Sequence, residues 1–224
     1  MTCDWIHNGL RYLGFPAKGH PRSSEAAGET GTETEYVVLD TETTGFDTRT
    51  DRILSLGYLK LRGGRMHLAD FRENLLEQER FSRDSVPIHG ILKADPDARV
   101  SEREALLAFR EFAGNRPLVG HHIAFDAAML RAALRRNGLG YLDNPLLDTE
   151  RLYRHTLIKS PLLRKKERYT LDDLARRFDL SCADRHTALG DAYITALAFL
   201  HILNLLKDKD IRDFRTLFRL GRPR

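Results

Sequence analysis

The stretch Tyr36-Val37-Val38-Leu39-Asp40-Thr41-Glu42-Thr43-Thr44-Gly45, YVVLDTETTG, runs four apolar residues straight into two carboxylates spaced two apart. A short continuous apolar run closed by a turn signal reads as a strand buried on both faces. Residues two apart in a strand point to the same side, so Asp40 and Glu42 project together where the strand leaves the core. Two like charges that close raise each other's pKa unless a cation sits between them. Taken alone, such a pair reads as a solvated strand end with Asp40 opening a turn at Thr44-Gly45. A partial second copy, LDTE at Leu147 to Glu150, lacks the T-T-G turn and runs into a helical pattern. Asp148 or Thr149 there reads as a helix N-cap, a structural role.

Working outward, Ile53 to Leu61 and Met66 to Leu76 read as two further strands, with Arg62-Gly63-Gly64-Arg65 placing Gly-Gly at a hairpin turn. Ser101 and Glu104 form a capping box ahead of Ala105, Leu106, Phe109 and Phe112, and Gly114 closes that helix. A short strand at Pro117 to Gly120 and a helix from Phe125 to Arg136, stopped by Asn137-Gly138, follow. Leu146-Leu147 reads as a brief strand, and helices are expected at Thr149 to Ile158, Thr170 to Phe178 and Thr187 to Leu206. Three meander strands followed by alternating helix and strand predict an α/β fold, a mixed sheet with helices on both faces. No internal repeat is present.

Arg22 to Glu35 contain no large apolar residue and read as a linker. The expected organisation is an N-terminal appendage and flexible linker over 1–35, the main domain over 36–206, and an amphipathic tail over 207–224. Within the appendage, Trp5, Ile6, Leu10 and Leu13 share one side of a short helix. In the tail, Ile211, Phe214, Leu217 and Phe218 recur at helical spacing.

The 224 residues are 42% hydrophobic, enough for a real core. With 36 Lys+Arg against 32 Asp+Glu, the formal charge of +4 permits an anionic partner without demanding one. Cys3 and Cys182 cannot build a disulfide framework. No run approaches the ~18 apolar residues of a membrane span, and polar residues interrupt every apolar stretch of the N-terminus. A cytoplasmic location with no membrane partner is the expectation.

Two more acids change the reading of the first pair. Gly120-His121-His122-Ile123-Ala124-Phe125-Asp126 carries an acid at a strand-to-helix corner, and Arg185-His186-Thr187-Ala188-Leu189-Gly190-Asp191 carries a His and an Asp at the start of the last long helix. DTETTG, GHHIAFD and HTALGD, in this order, resemble the three motifs of the DEDDh 3′–5′ exonucleases, which have a ribonuclease H-like fold. The resemblance covers Tyr36 to about Leu206. Within that superfamily the chain is most similar to the proofreading (epsilon) subunits of bacterial replicative polymerases, with RNase T and oligoribonuclease as more distant relatives. Val86-Pro87-Ile88-His89-Gly90-Ile91 is similar to a segment of the proofreading type. One position departs from the pattern, because His122 stands where the family usually has Asn, which bears on efficiency and substrate preference.

The resemblance implies that Asp40, Glu42, Asp126 and Asp191 bind two divalent cations, Mg²⁺ or Mn²⁺, with Asp40 bridging, and that His186 is the general base. Such a pair of ions generates a nucleophile from water and offsets the charge on the leaving oxygen. Hard carboxylate oxygens suit these ions. His186 lies five residues before Asp191, so both reach one site only if His186 sits at or before the first helical turn. Substrate contact is expected at Thr43, Thr44 and Gly45, where backbone can approach a nucleotide, and at His121. Phe46 either stacks beside the terminal base or is a core residue. Phe125 reads as core. Lys165, Lys166 and Arg168 lie in a basic loop, PLLRKKERY, that is either a solvated surface or a phosphate track.

The activity implied is release of nucleoside 5′-monophosphates from 3′ ends of single-stranded or frayed DNA, by a stand-alone enzyme. An RNA-processing exoribonuclease keeps the mechanism and changes the sugar. A non-catalytic nucleic-acid-binding or polymerase-docking module has no use for all four acids and the His. The sequence is compatible with a homodimer or a polymerase partner.

Overall fold

The computed structural model describes residues 31, 33–78, 99–157 and 168–223. The expected N-terminal helix, the segment Val86–Ile91, Lys165 and Lys166 lie outside them. The opening strand β1 (Tyr36–Thr43) pairs antiparallel with β2 (Ile53–Arg62). The Gly63-Gly64 turn has both φ values positive, 54° and 70°, as the tight hairpin requires. Beyond it the expected single strand over Met66–Leu76 is interrupted. Only β3 (Arg65–Met66) pairs before a 3-10 turn at Leu68–Asp70, and β4 (Arg72–Leu75) then rejoins the same edge of β2. The Arg72 guanidinium donates to the Ala69 and Phe71 carbonyls at 2.7 and 2.8 Å, satisfying groups that the broken ladder leaves free.

Helix α1 (Glu102–Ala113) starts on the expected capping box and ends at Gly114, whose φ of 52° suits glycine. Strand β5 (Leu118–Gly120) lies parallel to β1, and after helix α2 (Ala124–Arg136) strand β6 (Leu146–Asp148) lies parallel to β5. Helix α3 (Thr149–Thr156) is capped by Asp148, which accepts from the Glu150 N–H at 2.9 Å, and α4 (Leu171–Phe178) by a capping box of Thr170 and Asp173. Each cap is worth about 1 kcal/mol. Helices α5 (Ala188–Lys207) and α6 (Phe214–Gly221) complete the chain.

The sheet order is β3-β2-β1-β5-β6, with β4 also on β2. Strand parity sorts the core into two layers. Val37 and Leu39 pack with Leu106, Phe109, Met129 and Leu130 of α1 and α2. Tyr36 and Val38 pack with Leu147, Leu152, Phe199 and Ile202 on the opposite face, where Phe214 and Leu217 of α6 also bury. The sheet is mixed, with helices on both faces, as expected. Helix α5 is long and apolar enough to cross a membrane by length and composition, more apolar than the residue runs suggest. It packs instead against β1 and β2 as the central core helix.

Candidate active site

The same parity that builds the two core layers sorts the acids. Asp40 and Glu42 follow Tyr36 and Val38 toward α5, and Thr41 follows Val37 and Leu39 toward α2. Asp191, in the first turn of α5, meets the first pair: carboxylate oxygens of Asp40, Glu42 and Asp191 lie within 4.8 Å of one another. Asp126 stands at the start of α2, where its Oδ1 accepts from the Thr41 N–H at 3.0 Å and the Thr41 hydroxyl at 2.6 Å. It is buried at 5% exposure, outside the three-acid cluster yet close enough to act on Asp40 electrostatically. The residue between the two first-motif acids therefore holds the third acid in place.

Two close approaches make this possible. A Cβ at Gly57 would lie 2.2 Å from the Ala188 carbonyl carbon and the Leu189 nitrogen, so only glycine in β2 lets the start of α5 descend onto the sheet. A Cβ at Gly45 would lie 2.6 Å from Asp51 Oδ2. That carboxylate accepts from the Thr44 hydroxyl at 2.8 Å and the Asp47 N–H at 2.8 Å, so Thr44 and Gly45 are struts of the turn. The Thr43 hydroxyl donates to the Gly45 carbonyl at 2.8 Å. Phe46 is 84% exposed, with its ring 5.7 Å from that of half-buried Phe125, which excludes a core position for Phe46.

The electrostatics are those of an uncompensated anionic site. Burial first, then Asp126, Asp191 and Glu42, holds the Asp40 carboxyl well above the usual carboxylate range. Burial, with Asp191 and Asp126, pushes Glu42 up to about 8. Burial pushes Asp126 up to about 7 against the opposing bonds from Thr41. Among the described residues Arg185 meets this charge directly: it pairs with Asp191 and, at 2.6 Å, with Asp172 on α4. Burial works against its charge, but those bonds hold it more firmly protonated. The donor set, hard oxygens with excess negative potential, suits a divalent cation, and Asp40, Glu42 and Asp191 are the residues that could hold one, with Asp126 beside them.

His186 lies outside the helix, two residues before Ala188, with φ at 68°. Its N–H donates to Asp191 Oδ1 at 3.3 Å, and the residue is exposed. His121 is turned inward: Nε2 faces the Tyr169 carbonyl at 3.0 Å and Nδ1 the Thr149 hydroxyl at 2.9 Å. A carbonyl only accepts, so Nε2 carries the proton and Nδ1 accepts. Burial, then His122, pushes its pKa down to about 4, which keeps it neutral. His122, at φ 59°, instead reaches Glu150 at 3.2 Å. Glu150 also accepts from the Tyr169 N–H at 3.0 Å and pairs with Arg154, so the second LDTE is a clamp on the segment that carries exposed Arg168.

Gly57, Arg185, Thr41 and Glu150 are absent from the residues expected of the site. A glycine inside the strand pattern ILSLGYLKL was the available signal for close approach. Nothing local marked the other three.

A mixed sheet whose first strand ends in paired acids, faced by an acid on the next-to-last helix, gives the chain a ribonuclease H-like fold. The chain belongs to the RNase_T family, described as exonuclease, whose profile matches residues 37–199. It is 33% identical over 183 residues to a DNA polymerase III subunit epsilon-like protein of Rhodobacter capsulatus, covering 80% of this chain and 25% of that one. It is 34% identical over 173 residues to a PolC-type DNA polymerase III of Thermotoga maritima, covering 77% and 12%. The chain thus spans a quarter or less of these relatives. The fold matches E. coli Exonuclease I in complex with a dT13 oligonucleotide at TM-score 0.66 and 15% identity, covering 79% of this chain and 42% of that one. It matches Exonuclease X in complex with 5′ overhanging duplex DNA at TM-score 0.57 and 22% identity, covering 75% and 91%.

Proposed function

We propose that the protein is a metal-dependent 3′–5′ exonuclease that removes nucleoside 5′-monophosphates from single-stranded or frayed DNA ends. The observation that carries this reading is the convergence of Asp40, Glu42 and Asp191 within 4.8 Å, with the Asp40 and Glu42 carboxyls held above the usual range by burial and the neighbouring acids, in a chain of the exonuclease family. Two divalent ions, when bound, supply the Lewis acidity that activates water and offsets charge on the leaving oxygen.

The chain's own residues do the rest. Asp40, Glu42 and Asp191 hold the ions, with Asp126 positioned beside them by Thr41. Arg185 orients Asp191 from the other side. His186 takes the proton of the attacking water on its imidazole, as a general base. Thr43 and Phe46 border the terminal nucleotide, with Phe46 offering a face for stacking, and Thr44 and Gly45 hold that turn in shape. His121 positions the Tyr169 backbone, and Arg168, with Lys165 and Lys166, meets the phosphate backbone. A terminal mismatch unpairs more cheaply than a matched end, so it is removed faster. The relatives' names make a polymerase a fitting partner, and a cytoplasmic location follows from replication as the setting.

The test is degradation of matched 3′-labelled DNA and RNA oligonucleotides, beside a circular single strand, with Mg²⁺, with Mn²⁺ and in EDTA. Stepwise release of 5′-monophosphates from linear DNA, abolished by EDTA and by Asp40→Ala, is expected. Cutting of the circle, or full activity of Asp40→Ala, would overturn the reading, and faster degradation of RNA would transfer it to an exoribonuclease.

A further inference from the structure

The 47–51 loop and the outer face of α2 enclose an open groove of about 470 Å³, apart from the acidic cluster. Thr48 and Arg49 line one side, and Ala128, Arg131, Ala132 and Arg135 the other. The two alanines form a low floor, and the arginines stand around it. Arg49 is paired with Asp47 at 3.1 Å, and Arg136, also at the groove, with Glu102 at 2.7 Å. Arg131 and Arg135 are exposed, one helical turn apart, with no side-chain partner among the described residues. Two guanidinium groups therefore face a concave surface with their charge unanswered.

The helix stripe that lines the groove leads back along α2 toward the acids. Phe125, next to Asp126, Ala128, Ala132 and Arg135 recur at i, i+3, i+7 and i+10, one stripe of α2. Phe46, whose ring meets Phe125 at the mouth, precedes Arg49 by three residues on the facing loop. From Phe125 to Arg135 the helix advances about 15 Å, a span of a few nucleotides. A solvated helix end accounts for Arg135 and Arg136, since cations favour a helix C-terminus. It accounts neither for Arg131 in the helix middle nor for the concavity and its small-residue floor.

We infer that this groove is the track for the sugar-phosphate backbone of the single strand upstream of the nucleotide being removed, with Arg131 and Arg135 contacting successive phosphates. The inference rests on the exonuclease reading and adds the path of the strand to it. Guanidinium groups suit phosphate through bidentate hydrogen bonds, without reading sequence.

The experiment is a fluorescence-anisotropy titration of 5′-labelled dodecathymidylate in EDTA across a salt series. Arg131→Gln/Arg135→Gln is expected to bind about tenfold more weakly at low salt, with the salt slope reduced by about 0.7 for each phosphate no longer neutralised. Arg131→Lys/Arg135→Lys should keep most of the slope. Arg215→Gln/Arg219→Gln, an equal charge loss on α6 away from the groove, should match the parent. An unchanged slope in the groove variant, or an equal loss in the α6 variant, would overturn the track. Hydrolysis of the p-nitrophenyl ester of thymidine 5′-monophosphate, too short to reach Arg131, separates the two readings. Ester hydrolysis by the parent with an unchanged slope in the groove variant overturns the track alone. No hydrolysis of either ester or oligonucleotide by the parent overturns the exonuclease reading and the track with it.

Discussion

Asp40 and Gly57 face each other across the β1–β2 ladder, and the missing side chain at Gly57 is what lets α5 carry Asp191 down to Asp40. The obstacle to any larger residue is backbone, the Ala188 carbonyl carbon and the Leu189 nitrogen, which cannot swing aside as a flexible side chain would. Position 57 therefore sets the distance between two acids that belong to different elements.

Gly57→Ala is expected to displace the start of α5, costing about 1–3 kcal/mol as an overpacked site and weakening metal binding. Calorimetric titration with Mn²⁺ beside a thermal melt checks both. Wild-type affinity together with an unchanged Tm would mean that the approach is not a requirement.

The metal-free protein should lose stability as pH rises. Glu42 is held at about 8 against an ordinary 4.5, and Asp126 at about 7 against 3.8, so the folded state keeps protons that the unfolded chain releases. Their stabilising contribution is complete below the unfolded values and is lost as pH climbs through the folded ones. Glu42→Gln should therefore match the parent in Tm near pH 4.5 and exceed it near pH 8, and Mg²⁺ should narrow the gap by stabilising the parent. Parallel Tm curves with pH would refute the assignment.

His186→Ala should lower turnover by ~10²–10⁴, the range of a lost general base, with Mn²⁺ affinity kept and activity partly restored at high pH. Its backbone bond to Asp191 survives the substitution, so the cluster of acids is not disturbed. Wild-type turnover would leave His186 with its backbone role alone.

Phe46→Ala should leave Tm unchanged, because the side chain is 84% exposed, and should weaken binding of single-stranded DNA by about 1–3 kcal/mol, the value of one base stacked on an aromatic ring. Anisotropy with a short oligonucleotide reads this directly. Unaltered affinity would make Phe46 a bystander at the mouth.

Local signals were readable wherever the physics is local. The capping box at Ser101 and Glu104, the Asp148 cap, the Gly63-Gly64 turn and the apolar run of β1 all form as their residues prescribe, because each depends on neighbours within a few positions. The strand expected over Met66–Leu76 breaks for the complementary reason: its pairing depends on the edge that β2 offers and on where Arg72 finds carbonyls. His121 was expected to face substrate, yet both ring nitrogens are used within the protein, by Thr149 and by Tyr169, the latter 48 positions away in sequence.

What the sequence determined by itself was the alternation of β1, the helix caps, and an order of acids that resembles one family of nucleases. Only the tertiary structure decided that Asp40, Glu42 and Asp191 share one side while Thr41 holds Asp126 from the other, that Gly57 admits the helix, and that Arg185 answers part of the negative charge. The reason is physical. Periodicity states which way a side chain points from its own strand or helix, but the distance between two elements is set by the packing of a third against both.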